Sequence, residues 1–174
     1  FLLQQALERG RSALFFSATL TPVDYYRSLL GGSVEDPILR LPSPFPSGNL
    51  AVLTHDRIRT VLKARTQTLE EVVQAVGALV RGRVGNYLVY LPSYQYLSAV
   101  QERFQARFPD ATILMQRPGM SEPEREAFLG AFAVDGGTVR VGFAVLGGVF
   151  GEGIDLVGER LIGVAVVGVG LPQL

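Results

Sequence analysis

Apolar runs of strand length alternate along this chain with helix-like patterns of apolar positions. The strand-length runs are Ala13–Phe16, Leu50–Leu53, Tyr87–Leu91, Thr112–Leu114, Val139–Val145 and Leu161–Val167. Between these runs apolar residues recur every three or four positions, as over residues 69–80, and this spacing predicts amphipathic helices. Continuously apolar strands that alternate with helices indicate an α/β fold whose mostly parallel sheet is covered on both faces.

Three polar residues mark where helices begin. Thr68 is followed three positions later by Glu71, and Ser121 by Glu124, so both pairs have the hydroxyl and carboxylate spacing of a capping box. A further helix is predicted to start near Ser93, directly after the Tyr87–Leu91 run. These signals predict helices that connect successive strands of the sheet.

A proline-rich stretch divides the chain. Residues 37–48 contain four of the ten prolines. Because proline fixes φ and lacks a backbone N–H, the stretch predicts a linker or an extended crossing, and it is the candidate boundary between residues 1–36 and a domain over residues 49–174. The chain opens on Phe1 without a methionine and closes on Leu174 just after an apolar run, so we expect a piece of a longer protein.

Composition narrows the class of protein. Apolar residues make up 48% and charged residues 18% of the 174, which favours a folded domain over disorder. With 16 basic and 16 acidic residues the net charge is zero, which argues against bulk electrostatic capture of nucleic acid but allows a local basic patch. The absence of cysteine excludes disulfides, thiolate metal sites and cysteine nucleophiles in this stretch. No apolar run reaches the roughly 20 residues of a membrane span.

Polar residues after strands are candidates for chemistry, because ligands of parallel sheets bind beyond the carboxyl ends of the strands. Ser17 and Thr19 follow the first apolar run, and their hydroxyls could bond a phosphate or a water. The alternative is an ordinary Ser/Thr turn that caps the next helix.

A glycine-rich loop with two acids follows a later strand. Residues 136–174 hold 11 of the 20 glycines but five charged residues, among them Glu152 and Asp155. Gly151 and Gly153 permit close backbone approach, so consecutive N–H groups could cradle a phosphate while the carboxylates hold a hydroxyl or a cation. The alternative is a flexible connection with solvated acids.

Two further segments could contact nucleic acid. Arg57, Arg59, Lys63 and Arg65 form a basic run that could bind phosphate or form a solvated face. After Ser93, the pair Tyr94 and Tyr96 could stack on a base, and the alternative for Tyr96, near a helix start, is packing. We predict no metal site.

Five segments in order resemble the XPD/DinG family of superfamily 2 DNA helicases. Ser17–Pro22 (SATLTP) is similar to helicase motif III, and Thr60–Arg65 to the T-x-x-K-x-R element. Leu88–Tyr94 resembles motif IV, and Met115-Gln116 fits the segment after it. Gly151–Leu156 (GEGIDL) resembles motif V, although Gly151 stands where relatives often carry Ser or Trp.

The resemblance implies a RecA-like, P-loop NTPase-type fold with three layers. Residues 1–36 would be the tail of the first lobe, 37–48 a linker, and 49–174 most of the second lobe, ending before motif VI. The whole protein would be a cytoplasmic, ATP-dependent motor that translocates on single-stranded DNA and unwinds duplex in repair or replication.

The resemblance also implies roles for the candidate residues. Glu152 and Asp155 would transmit the nucleotide state. The nucleotide-side contacts would be Ser17, Thr19, Gly151 and Gly153. The DNA contacts would be Lys63, Arg65, Ser93 and Tyr94. The implied partners are single-stranded DNA, ATP and the first lobe of the same chain, with no membrane.

ATP and Mg²⁺ are implied cofactors of the full-length protein. The chain has no Walker A, no Walker B and no motif VI with its arginine finger, and in the family these lie upstream of motif III or downstream of motif V. An iron–sulfur cluster would also lie upstream, with none in this stretch. We therefore expect this polypeptide alone neither to hydrolyse ATP nor to unwind DNA. The apolar strand predicted at Ala13–Phe16 should pair with another sheet edge or chain, which leaves self-association open.

Two other classes of protein remain as alternatives. The nucleotide-sugar-binding domain of a glycosyltransferase also places an acid in a glycine-rich loop after a parallel strand. A non-catalytic α/β module that binds DNA or a partner protein is the second.

Overall fold

The computed structural model describes residues 2–133 and 137–169. The chain divides into two compact units, Phe1–Val52 and Leu53–Leu174. The first unit contains two short helices, α1 (Leu2–Leu7) and α2 (Val23–Leu29), and a 3₁₀ turn at Ser47–Asn49. That the first unit is the tail of another lobe stays a prediction.

The second unit is built around a four-stranded, all-parallel sheet. Its strands are β1 (Asn86–Leu91), β2 (Thr112–Met115), β3 (Arg140–Val145) and β4 (Gly163–Val166), in the spatial order β2-β3-β1-β4. Its helices are α3 (Leu69–Arg81), α4 (Tyr94–Arg107) and α5 (Glu122–Gly130). Strands and helices alternate as the apolar pattern predicts, and the α/β class is confirmed.

Strand β1 lies inside the sheet and pairs with a neighbour on each side. Asn86 lies opposite Arg140 of β3, and Tyr87 opposite Gly163 of β4. Every residue of β1 is buried, which is the state that its continuously apolar sequence predicts for a strand covered on both faces.

Successive side chains of β1 enter two different cores, because side chains alternate across a strand. Tyr87, Val89 and Leu91 pack with buried residues of α3 and α4, among them Val76 and Phe104. On the other face a smaller core surrounds Leu88 and Tyr90. Its other buried members are Phe128, Phe132, Ala144 and Phe150. Helices thus cover both faces, giving the three layers of a RecA-like lobe.

Two of the predicted strands are wrong. Ala13–Phe16 and Leu50–Leu53 belong to no sheet within the part of the chain that the structure describes, and the side chains of Leu14 and Phe16 are 86% and 87% exposed. A strand needs a neighbouring backbone for its hydrogen bonds, and an apolar run of four residues does not by itself supply that neighbour.

The predicted helix starts have different outcomes. At α5 the capping box is confirmed, since the backbone N–H and the hydroxyl of Ser121 both donate to the Glu124 carboxylate at 2.7 Å. At α4 the Ser93 hydroxyl accepts from the Tyr96 N–H at 3.3 Å.

The capping box predicted at Thr68 is wrong. Its hydroxyl donates to the carbonyls of Arg59 and Ala64 at 2.8 and 3.1 Å, so it does not cap α3. The cause is the 3₁₀ turn at Leu62–Ala64, which folds the preceding segment back and brings these carbonyls within reach.

Gly142 tests the packing of the smaller core. A Cβ at this position would lie 2.5 Å from Cζ of Phe132, whose side chain is fully buried, and 3.0 Å from Cδ1 of Leu88. We expect Gly142→Ala to lower the free energy of unfolding by about 1–3 kcal/mol, the usual effect of overpacking a core, in urea denaturation.

Gly130→Ala is the matched control, because a Cβ at Gly130 meets nothing within 4 Å. That variant should leave the free energy of unfolding unchanged or raise it, since Gly130 ends α5 and alanine favours helix. Equal effects of the two substitutions would contradict the close packing of Phe132 against β3.

Candidate functional site

The carboxyl ends of three strands lie side by side at one edge of the sheet. The Leu146 N–H donates to the Leu91 carbonyl at 2.8 Å, and the Gln116 N–H to the Phe143 carbonyl at 2.9 Å. The loops that follow β1, β2 and β3 therefore start as neighbours, in the region where parallel sheets bind ligands.

Gln116 connects these loops through its side chain. Its amide nitrogen donates to the Tyr94 hydroxyl at 3.0 Å, and its amide oxygen accepts from the Val145 N–H at 2.8 Å. Gln116 is 2% exposed, and both bonds are partly buried because Tyr94 and Val145 are half-buried. The loop after β2 thus holds the first turn of α4 and the end of β3 together.

The first half of the loop after β3 is anchored. Phe150 is buried, and its ring stacks on Phe128 of α5 with a centroid distance of 4.4 Å. The Tyr90 hydroxyl of β1 donates to the Phe150 carbonyl, and the Gly151 N–H donates to the Gly148 carbonyl. These contacts hold residues 146–151 against the sheet.

The second half of the same loop carries the two acids. Glu152 and Asp155 are exposed, and neither forms a hydrogen bond or ion pair with any residue of 2–133 or 137–169. Gly153 between them has φ +72°, a conformation that favours glycine. Two carboxylates are therefore available to accept from a hydroxyl, an N–H or a cationic side chain.

The two predicted DNA-contacting cations have different surroundings. Lys63 is the only lysine of the chain and is exposed in the 3₁₀ turn at Leu62–Ala64. Arg65 is half-buried: its Nε donates to the Thr60 carbonyl at 3.1 Å, and its guanidinium lies 5.1 Å from the centroid of the Tyr96 ring. Lys63 is free to bind a mobile anion, whereas Arg65 is oriented by its neighbours.

Arg65 and Ser93 line one groove of about 230 Å³. The other residues lining it are Leu62, Thr66, Leu69, Gln95, Tyr96 and Ala99. The Ser93 oxygen accepts from the Tyr96 N–H, which leaves the Ser93 O–H as a donor. The Arg65 guanidinium and the hydroxyl groups of Ser93 and Thr66 are donors beside one groove, and such donors are suited to phosphate oxygens.

Tyr94 is not arranged as a freely exposed stacking platform. Its side chain is half-buried and its hydroxyl accepts from Gln116. Of the residues predicted to contact DNA, the structure therefore brings Arg65 and Ser93 into one groove and connects Tyr94 to the other loops.

Ser17 and Thr19 lie in the unit Phe1–Val52. Their hydroxyls are 3.1 Å apart, and the Thr19 N–H donates to the Ser17 oxygen at 3.2 Å. This is the geometry of a local Ser/Thr turn, and both side chains are exposed.

Residues 2–133 and 137–169 contain no cluster of three or more acidic, histidine or cysteine side chains that could hold a metal ion. Within the same residues no helix has both the length and the apolar character needed to cross a bilayer.

Sequence reasoning missed the anchors of this site. Gln116 lies two residues after the predicted strand Thr112–Leu114 and is a polar residue beside apolar Met115, which was the signal for a buried contact. Phe150 is a large aromatic side chain among glycines, which was the signal for an anchored loop. Tyr90 gave no such signal, because its hydroxyl acts only through a partner 60 residues away.

Buried tyrosines predict a loss of stability at alkaline pH. Burial raises the pKa of Tyr90 above 10.0, and burial likewise raises that of Tyr96, opposed by the Arg65 charge and the Thr68 hydroxyl. These tyrosines then lose their protons at lower pH in the unfolded chain than in the folded one. Their contribution to the free energy of unfolding is complete below pH 10 and is lost as the pH rises through the raised pKa values. Urea denaturation at increasing pH measures this loss.

Tyr90→Phe should reduce the alkaline loss, and Tyr25→Phe, at a side chain that is 60% exposed, should leave it unchanged. An alkaline loss that is identical in the wild type and in Tyr90→Phe would argue against the burial of the Tyr90 hydroxyl.

A comparison with known protein families agrees with this architecture. Residues 76–174, more than half of the chain, match the family model described as Helicase C-terminal domain. The match includes β1 to β4, the Ser93–Tyr94 turn, Gln116 and the loop with Glu152 and Asp155. The chain therefore belongs to the helicase C-terminal domain family.

Proposed function

We propose that this chain is the second motor lobe of an ATP-dependent DNA helicase of the XPD/DinG type, with the tail of the first lobe before it. The whole cytoplasmic protein would translocate on single-stranded DNA and separate duplex during repair or replication. The family match over residues 76–174 supports a helicase, and the order of the five motif-like segments supports this type.

One observation carries the proposal furthest. The turn with Ser93 and Tyr94 and the loop that leads to Glu152 and Asp155 start at the same edge of the sheet and contact the same buried side chain, Gln116. A motor needs its DNA-contacting and nucleotide-sensing groups to change together, and a shared support is suited to that requirement.

The nucleotide side of the lobe would be the loop after β3. Glu152 and Asp155 would receive donors from other parts of the motor as the nucleotide state changes, since both carboxylates lack partners within the described residues. Gly151 and Gly153 would let the backbone approach closely, and Ser17 and Thr19 would act from the first-lobe tail. Residues outside this chain would hold most of the ATP and the Mg²⁺.

The DNA side would be the groove beside α4. Arg65 and Ser93 would donate to phosphate oxygens, Lys63 would add a mobile charge, and Tyr94 would support the turn. Contacts of this kind hold the backbone of a strand without reading its sequence, as translocation requires.

Asp155 tests the nucleotide side. In the full-length protein, Asp155→Ala should lower the rate of ATP-driven strand separation about tenfold or more, because one charge-assisted contact is lost in the working cycle. The melting temperature should stay unchanged, since the exposed carboxylate has no partner to lose among the residues that the structure describes. Strand-displacement kinetics and thermal melting measure the two effects.

Asp110→Ala is the matched control, at an exposed aspartate that precedes β2 and so lies toward the opposite edge of the sheet. It should unwind DNA at the wild-type rate. Wild-type unwinding by Asp155→Ala would remove Asp155 from the mechanism.

Lys63 tests the DNA side. We expect Lys63→Ala to weaken binding of single-stranded DNA by the full-length protein and to reduce the salt dependence of log K by about 0.7, the value for one phosphate contact on a single strand. Fluorescence anisotropy over a range of salt concentrations measures both quantities.

Arg103→Ala, at an exposed position of α4, should keep the wild-type slope. An unchanged slope for Lys63→Ala would place the DNA elsewhere on the protein.

A further inference from the structure

Gln116 is a buried amide whose two ends contact the first residue of α4 and the last residue of β3. The amide nitrogen reaches the Tyr94 hydroxyl and the amide oxygen reaches the Val145 N–H. Burying an amide is unfavourable unless its groups are paired, and both ends of this amide have a partner. The side chain therefore fills space and also fixes the distance between the start of α4 and the end of β3, where the loop at residues 146–155 begins.

A third segment packs directly on this amide. A Cβ built at Gly148 would lie 3.0 Å from the Gln116 amide nitrogen, so the backbone of the loop after β3 lies against it. Two residues further, Phe150 is anchored to Tyr90 and Phe128. A displacement of the residues around Gly148 would thus disturb the Gln116 side chain, and through it Tyr94.

We propose that Gln116 is a positioning residue that makes the DNA-side turn at Ser93–Tyr94 and the nucleotide-side loop at residues 146–155 move as one unit. This inference rests on the proposed helicase function. The residue contacts neither DNA nor nucleotide. Its effect is to transmit a change at one segment to the other through two partly buried hydrogen bonds.

A merely structural role would give a different result from a coupling role. If Gln116 only filled the core, its loss would lower ATP hydrolysis and strand separation in parallel, as the fraction of folded protein falls. If it couples the loops, its loss would leave the rate of DNA-stimulated ATP hydrolysis nearly unchanged. The number of base pairs separated per ATP would fall. The ratio of the two activities is therefore the decisive measurement.

The variants are made in the full-length protein. Gln116→Leu removes both hydrogen bonds at similar volume, and Tyr94→Phe removes the bond to the hydroxyl alone. Gln101→Leu is the matched control, because the side chain of this glutamine on α4 forms no hydrogen bond within the described residues. Tyr94→Phe keeps the experiment decisive if Gln116→Leu fails to fold.

Hydrogen exchange tests the linkage independently of activity. We expect Gln116→Leu to speed amide exchange roughly tenfold in peptides that cover residues 92–97 and 144–151, because the loss of a buried bond favours local opening. Gln101→Leu should leave both peptides unchanged. Wild-type exchange of both peptides in Gln116→Leu would overturn the linkage.

The activity ratio tests the coupling. Gln116→Leu should lower base pairs separated per ATP about tenfold, the effect of losing about one to two hydrogen bonds, while DNA-stimulated ATP hydrolysis stays within about twofold. Tyr94→Phe should lower the ratio less, and should add nothing in a Gln116→Leu background, as expected for groups in one network. A wild-type ratio with altered exchange, or a parallel loss of both activities, would overturn the coupling role.

The helicase function and the coupling role of Gln116 can each be wrong without the other measurement being lost. If the wild-type full-length protein neither hydrolyses ATP on DNA nor unwinds it, the proposed function is wrong, and the coupling role falls with it. The exchange measurement still decides whether Gln116 links the two loops. If the wild type unwinds DNA and the ratio is unaffected, the helicase function stands and the inference about Gln116 is wrong.

Discussion

The pairing of β1 with a neighbour on each side is the constraint on which the rest of the lobe depends. Parallel pairing with β3 places residue after residue in register, from Asn86 opposite Arg140 to Leu91 opposite Val145. The loops that leave these two strands must then start together at one edge. Because all of β1 is buried, a slip by one residue would exchange the side chains that face the two cores. The same register directs the Tyr90 hydroxyl to the Phe150 carbonyl.

The loop after β3 has an anchored first half and an exposed second half. Its first half is fixed by the buried Phe150 ring and by the tyrosine hydroxyl of β1. Its second half presents Glu152 and Asp155 to solvent without partners in the described part of the chain. Carboxylates without partners, held on an anchored segment, are suited to accept hydrogen bonds from another domain. They need to break no existing contact before they bind. This division of one loop is the physical basis of the proposed nucleotide-side role.

For phosphate binding, the local arrangement of basic residues matters more than the zero net charge of the chain. The chain has equal numbers of acidic and basic residues, yet Lys63 is exposed and Arg65 and Ser93 share a groove. The Tyr96 ring and the Thr60 carbonyl orient the Arg65 guanidinium. The side chain would therefore lose less conformational entropy on contacting a phosphate. These groups are the basis of the DNA contacts proposed for this lobe.

The chain's own pattern was enough to predict the α/β class, the strands β1 to β4 and the helices between them, because burial on both faces of a parallel sheet demands continuous apolar runs. It was also enough to point to the glycine-rich loop with its two acids. The pattern misled at Ala13–Phe16 and at Thr68, and it did not reveal that Gln116 joins two loops. Whether an apolar run becomes a strand, and which partner a polar side chain finds, depends on residues distant in sequence. Periodicity reports the face on which a residue lies, whereas hydrogen-bond partners are set only when the elements pack.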